Sequence, residues 1–227
     1  MPSHSYDVLI RLAPDVPTAM VERAARWTRD SVPSIAALAA SVILLRDGQP
    51  GLETYLLHRH ARMAFAPSMV VFPGGRVDEV DSSDGEDPIR RCALRETSEE
   101  TGVLLTETDL YPWAHWITPE IEPRRYDTRF FVAAMPDDQE AADISGETEH
   151  ADWSTPREAL AAERSGRIRM LPPTMSILIE LADLQTVAEV INHALGRQIE
   201  PVLPRLVETE GGWQFRYPQA GPRETSA

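Results

Sequence analysis

The chain has 227 residues, 22 of them basic and 36 acidic, which leaves a formal net charge of −14. That length fits one domain with extensions, and a hydrophobic share of 42% supplies a sizeable core. No apolar run reaches the length of a membrane span, and the acidic balance argues against a nucleic-acid partner.

Residues 1–33 read as a polar, proline-punctuated extension carrying one helix over Thr18–Asp30, and residues 1–14 lack the basic start and apolar core of a secretory signal. The main domain is expected over residues 34–200. It opens with a strand ending in Ser41-Val42-Ile43-Leu44-Leu45, a turn over Arg46–Leu52 and a second strand over Glu53–Arg59, together a hairpin. Met69–Phe72 is a third strand running into Pro73-Gly74-Gly75, followed by an acidic loop over Asp78–Asp87. Pro88–Thr101 is a helix, with Asp87 as N-cap, Pro88 at its first position and Gly102 just past its end. Trp113–Ile117 and Thr128–Ala134 are strands, Asp137–Glu149 is an acidic loop, and Pro156–Ser165 and Thr174–Leu195 are helical, the latter broken near Asp183. A last hairpin around Gly211-Gly212 and a tail occupy residues 201–227. Strands and helices alternate without regular βαβ spacing, which predicts an α/β fold with a mixed sheet and helices on both faces.

The only cysteine, Cys92, rules out an intrachain disulfide and a cysteine zinc cluster, and a reducing cytoplasmic setting is expected. Every Lys/Arg position is arginine, which removes Schiff-base chemistry and a P-loop lysine.

The Pro88–Thr101 helix carries the chemistry. At about 100° per residue, Ile89, Cys92, Ala93, Glu96 and Glu100 share one stripe with Glu99 at its edge. Carboxylates in the last turn oppose the helix dipole at roughly 0.3–1 kcal/mol each, and Glu96 and Glu100 repel at i,i+4. A bound hard divalent cation, Mg²⁺ or Mn²⁺, relieves that charge; a solvated acidic helix end is the bland alternative.

Arg95-Glu96-Thr97-Ser98-Glu99-Glu100-Thr101-Gly102-Val103 resembles the second half of the Nudix box, G-x5-E-x7-R-E-U-x-E-E-x-G-U with U aliphatic, and Phe72-Pro73-Gly74-Gly75 resembles its entry. Asp87 lies eight positions before Arg95, where the pattern has Glu, so the insertion of six residues falls between Gly75 and Asp87; Thr97 replaces an aliphatic residue. The resemblance implies a Nudix-type α/β/α sandwich and Mg²⁺- or Mn²⁺-dependent hydrolysis of a nucleoside diphosphate linked to another moiety. It implies Glu96, Glu99, Glu100 and the Gly75 carbonyl as metal ligands, with Glu99 and Glu100 also catalytic. Arg95 pairs with Glu99 at i+4 to hold it. Glu147 or Glu149 are candidates for a general base, set against ordinary surface acids.

Leu56-Leu57-His58-Arg59 before the box is similar to the matching element of coenzyme A diphosphatases, although His60 and Ser68 stand where a small residue and Gly are usual. Trp113–Pro119 and Pro123–Phe131 resemble the peroxisomal acyl-CoA diphosphatase branch, whose box is also interrupted. The implied products are 3′,5′-ADP and 4′-phosphopantetheine or its acyl form. Arg59, Arg76, Arg124, Arg125 and Arg129 are the candidate phosphate-binding residues, the last three from one loop-strand segment. Trp113, Trp116 and Tyr126 are candidates for adenine stacking or plain core residues. His58 and His60 read as sheet-face residues and Cys92 as an inert core thiol. ADP-ribose, NADH or another dinucleotide is the alternative substrate, and a non-hydrolytic binding module the alternative class. The expected partner is a small nucleotide, with room for a homodimer.

Overall fold

The computed structural model describes residues 16–62, 66–82, 87–146 and 148–217. Among these residues five helices and ten strands follow one another as α1 (Thr18–Arg26), β1 (Ala37–Gly48), β2 (Gly51–Arg59), β3 (Val70–Val71), β4 (Gly74–Arg76), α2 (Pro88–Thr101), β5 (Tyr111–Ile117), β6 (Tyr126–Ala134), β7 (Thr148–Ser154), α3 (Pro156–Arg164), α4 (Pro172–Leu181), α5 (Val187–Leu195), β8 (Pro201–Val202), β9 (Arg205–Thr209) and β10 (Gly212–Arg216).

Eight strands form a mixed sheet in the order β3-β2-β1-β6-β5-β8, with β4 added to β1 and β7 to β2. β1 is its axis. It runs antiparallel to β2 and β4 and parallel to β6. Buried on both faces, β1 reads as the run Ala39–Leu45, apolar but for Ser41, and not as an alternating one. The parallel β1–β6 pairing needs a crossover, and α2 supplies it by packing Cys92 and Ala93 against Ala40, Val42, Phe131 and Ala133. The opposite face is the larger core, where Ile43, Leu45, Leu56 and Trp113 meet Leu160, Met175, Leu178, Leu181 and Val190 from α3, α4 and α5. The predicted mixed sheet with helices on both faces is the observed one. Among the described residues no helix is long and apolar enough to cross a membrane.

Several elements differ from expectation. α1 stops at Arg26, four residues early. β4 is an extra strand: Gly74-Gly75-Arg76 has little strand propensity and is held by pairing with Ala39, Ala40 and Ser41. Part of the acidic loop after it is ordered, because Glu79–Asp81 forms a 3₁₀ turn in which Asp81 accepts from the Asp78 N–H at 2.9 Å. Residues 83–86 of that loop lie outside the described residues. The C-terminal hairpin, β9 with β10, is a separate two-stranded sheet.

Candidate functional site

α2 begins as its sequence dictates. The Asp87 carboxylate accepts from the Ile89 N–H at 3.0 Å, Pro88 occupies the first turn, and Gly102 closes the helix at φ 74°. Thr97, fully buried where the pattern has an aliphatic residue, satisfies its hydroxyl on the Ala93 carbonyl at 2.7 Å.

The carboxylate face packs closely against the Gly-Gly turn. A Cβ on Gly75 would stand 2.3 Å from the Glu96 carboxylate, and one on Gly74 would stand 2.4 Å from the Ala40 carbonyl oxygen. Glycine is required at Gly74, whose neighbours are backbone atoms and whose φ is positive, whereas a side chain at Gly75 would displace the Glu96 carboxylate from the turn. Glu100, 5% exposed, accepts from the Gly74 N–H at 2.8 Å. The Gly75 carbonyl accepts from the Cys92 thiol at 3.5 Å, and burial pushes that thiol up to about 12, so Cys92 is inert at neutral pH.

Arg95 organises the rest. It donates to Asp81 from Nε at 2.9 Å and Nη2 at 2.8 Å, to Glu96 at 2.8 Å, to Glu99 at 3.0 Å and to the Arg76 carbonyl at 3.2 Å. The expected Arg95–Glu99 pair is present, but Glu99 is the most exposed of these acids and Asp81, 2% exposed, is the buried anchor. The Arg95 hydrogen bonds hold the Asp81 carboxyl below the usual carboxylate range. Asp81 is the residue that the sequence reading missed. It stands six positions after Gly75, so the G-x5-acid spacing is intact, and the additional residues lie between Asp81 and α2. Asp87, matched to the box acid by counting back from Arg95, is the helix N-cap.

Burial pushes the Glu96 carboxyl above its ordinary value, and Arg95 only partly offsets this. Asp81, Glu96 and Glu99 share one guanidinium with Glu100 close by, so the site carries an excess of negative charge, most of it shielded from solvent. All-oxygen donors with excess charge suit a hard divalent cation, so the residues fit the ion that the box implies.

Glu96 and Glu100 open onto a cleft of about 610 Å³. Its far walls are mainly apolar and aromatic: Trp116, Phe130, Phe215 and Tyr217, with Met20 from α1. Tyr217 sits edge-on to Trp116 with centroids 5.9 Å apart. Arg23 of α1 is paired with Glu122, which fastens the helix beside the cleft.

The candidate phosphate-binding arginines divide. Arg59, Arg76 and Arg124 line the cleft. Arg125 does not: it donates to the Thr118 carbonyl at 3.1 Å and the Ser34 carbonyl at 2.7 Å. Nor does Arg129, which donates to Asp127 at 2.6 Å, where Asp127 also bonds His115 at 2.7 Å. Of the aromatic candidates, Trp116 and Tyr126 line the cleft, while Trp113 is buried in the core with the Arg197 guanidinium 4.3 Å above its ring. Glu147 lies outside the described residues. Glu149 is exposed on β7, 3.7 Å from His60.

A glycine turn clasping the carboxylates of one helix, on a mixed sheet covered on both faces, defines the class. Residues 36–173 match the NUDIX domain family, and the chain belongs to it. It is a Nudix hydrolase, and the family's members generally work with divalent cations. A protein of Caenorhabditis elegans named as nudix hydrolase 7 is 27% identical over 209 residues, covering 76% of this chain and 69% of its own. An acyl-coenzyme A diphosphatase NUDT19 of Xenopus laevis is 24% identical over 259 residues, covering 70% and 68%. The crystal structure of a NUDIX hydrolase from Alicyclobacillus acidocaldarius superimposes with a TM-score of 0.63 at 25% identity, covering 70% of this chain and 96% of the other.

Proposed function

We propose that this Nudix hydrolase is a Mg²⁺- or Mn²⁺-dependent diphosphatase of coenzyme A or acyl-CoA, giving 3′,5′-ADP and 4′-phosphopantetheine or its acyl form. The observation that carries the reading is the character of the cleft: a carboxylate-rich end joined to a long apolar and aromatic wall, with Arg59, Arg76 and Arg124 along it. A diphosphate that links a phosphorylated nucleotide to an apolar arm matches those three environments in one molecule. ADP-ribose and NADH present a polar sugar where this wall is apolar. The likeness to an acyl-coenzyme A diphosphatase also favours the reading.

Glu96, Glu99, Glu100 and the Gly75 carbonyl would hold the cation, which when bound neutralises charge on the diphosphate oxygens and acidifies water. The chain's own groups do the positioning. Arg95, anchored on Asp81, keeps Glu96 and Glu99 turned toward the turn, and the Gly74 N–H fixes Glu100. The arginines lining the cleft supply forked donors to phosphate oxygens. Trp116 and Tyr126 offer faces to adenine, and the Phe215–Tyr217 wall excludes water from the arm. Incubation with coenzyme A, acetyl-CoA, ADP-ribose and NADH in Mg²⁺ or Mn²⁺, with products identified, tests the proposal. The expected result is 3′,5′-ADP released fastest from the coenzyme A substrates; preferential cleavage of ADP-ribose or NADH overturns it.

A further inference from the structure

A second cluster of metal-type ligands lies away from the cleft. His58 on β2 stands directly opposite His150 on the edge strand β7. Their rings stack with centroids 3.8 Å apart and planes at 22°. Asp152, two residues further along β7 and therefore on the same face, bonds the His58 Nε2 at 2.8 Å. One ligand atom from each residue lies within 4.8 Å of the other two, and among the described residues this is the group of three His, Cys, Asp or Glu ligand atoms that comes so close. None of the three lines the cleft. His150 and Asp152 are exposed, so an ion reaches the cluster directly from solvent.

We propose that His58, His150 and Asp152 form a second metal site, separate from the carboxylates of the cleft, that takes a borderline divalent transition-metal ion of the Zn²⁺ class. Donor chemistry separates the two sites. The cleft offers oxygen donors that suit Mg²⁺ or Mn²⁺, whereas two imidazoles and a carboxylate suit Zn²⁺, Ni²⁺ or Cu²⁺. Three protein ligands with an open position for water is a complete arrangement for such an ion.

Binding asks the two stacked imidazoles to rotate until their in-plane lone pairs converge on the ion, while the carboxylate moves little. Around a tetrahedral ion with bonds of about 2.0–2.1 Å, neighbouring ligand atoms stand about 3.4 Å apart. The His58 Nε2 and Asp152 Oδ1 need to separate by roughly half an ångström from their hydrogen-bonded distance, and the ion takes the place of the proton they share. A directly opposed cross-strand pair fixes the backbone spacing, so the adjustment falls on side-chain torsions, those of exposed His150 and Asp152 and of half-buried His58. Bound there, the ion ties edge strand β7 to β2. The stacked imidazoles and the His–Asp hydrogen bond also form a self-sufficient surface pair, and metal binding is what distinguishes the two readings.

The test titrates Zn²⁺ into the full chain in saturating Mg²⁺, against a chromogenic chelator, and follows thermal unfolding in parallel. One equivalent of Zn²⁺ is expected to bind and to raise the unfolding temperature. His150→Ala, on the exposed edge, and the isosteric Asp152→Asn should each weaken Zn²⁺ binding by roughly tenfold or more and remove the thermal shift. Both should leave Mg²⁺-supported hydrolysis unchanged. Glu100→Gln, which disturbs the cleft, should retain the bound Zn²⁺. Absence of Zn²⁺ binding, equal affinity in wild type and His150→Ala, or loss of Zn²⁺ in Glu100→Gln instead, overturns the proposal. The outcome does not depend on which substrate the cleft accepts.

Discussion

Asp81→Ala should be among the most destabilising single changes near the cleft, and Asp87→Ala should not. The Asp81 carboxylate is almost fully buried, takes two hydrogen bonds from Arg95 and accepts from the Asp78 N–H. Removing one partner of a buried ion pair costs about 3–5 kcal/mol, because the remaining charge is left uncompensated. Here Arg95 is not orphaned: it keeps Glu96 and Glu99, and its side chain is 20% exposed. The expected cost is therefore lower, about 2–4 kcal/mol. Asp87→Ala removes one N-cap bond, at about 1 kcal/mol. Urea unfolding of the two variants measures both. A second readout is Mg²⁺ dependence, since Arg95 released from Asp81 is free to lean further onto Glu96 and Glu99, and more Mg²⁺ should then be needed for half-maximal activity. If Asp87→Ala proves the more damaging change, then the box acid is Asp87 and the assignment of Asp81 fails.

The same pair sets an acid limit. Because Arg95 depresses the Asp81 pKa in the folded state, the pair's stabilisation is complete above the unfolded carboxylate value and is lost as pH falls through the folded one. The stability gap between wild type and Asp81→Ala should narrow below about pH 3.9, and a gap constant into strong acid would contradict it. Glu100→Gln should cut turnover by roughly two orders of magnitude or more while the unfolding midpoint holds, because the amide oxygen still accepts from Gly74; near-normal hydrolysis refutes a catalytic role. Arg124→Ala should raise the KM for coenzyme A about ten- to a hundredfold over that for dephospho-coenzyme A, whereas Arg125→Ala, tied to the Thr118 and Ser34 carbonyls, should lower stability and treat both substrates alike. Phe215→Ala should raise the KM for a long-chain acyl-CoA roughly tenfold and leave that for free coenzyme A nearly unchanged; equal effects would place the acyl arm elsewhere.

The carboxylate stripe of α2 was legible because helical periodicity needs no tertiary information: the spacing of Glu96, Glu99 and Glu100, the Asp87 cap and the Gly102 stop all act within one element. The mixed sheet was legible from the alternation of elements. What stayed hidden depends on contacts between elements. β4 exists because β1 pairs with it. Asp81 pairs with Arg95 fourteen residues away across the box insertion. Counting back from the helix finds Asp87; counting forward from Gly75 finds Asp81, the one that is buried against Arg95. The arginine-rich segment before β6 gave no means of telling a side chain that lines the cleft, Arg124, from one bonded to the Thr118 and Ser34 carbonyls, Arg125. Ser68, standing where the resemblance expects Gly, adopts φ 56°, the backbone shape glycine takes at least cost.

The cleft draws its two ends from different parts of the chain, and this bears on how chemistry and substrate choice can vary separately. The carboxylates, the Gly-Gly turn and the anchoring Asp81 all fall within residues 36–173, the segment shared with the family. Met20 and Arg23 on α1 precede that segment, and Phe215 and Tyr217 at the C-terminal hairpin follow it, yet all four line the same cleft. Arg23 pairs with Glu122, and Tyr217 packs against Trp116 and Phe215. The Arg95–Asp81 pair and the hydrogen bond from Gly74 to Glu100 are made within the family segment and take no partner from α1 or the hairpin. Residues more than about 7–10 Å apart without shared partners act additively. Substitutions in the hairpin should thus move KM among acyl chains with kcat and Mg²⁺ dependence held, and substitutions around Asp81 should do the reverse.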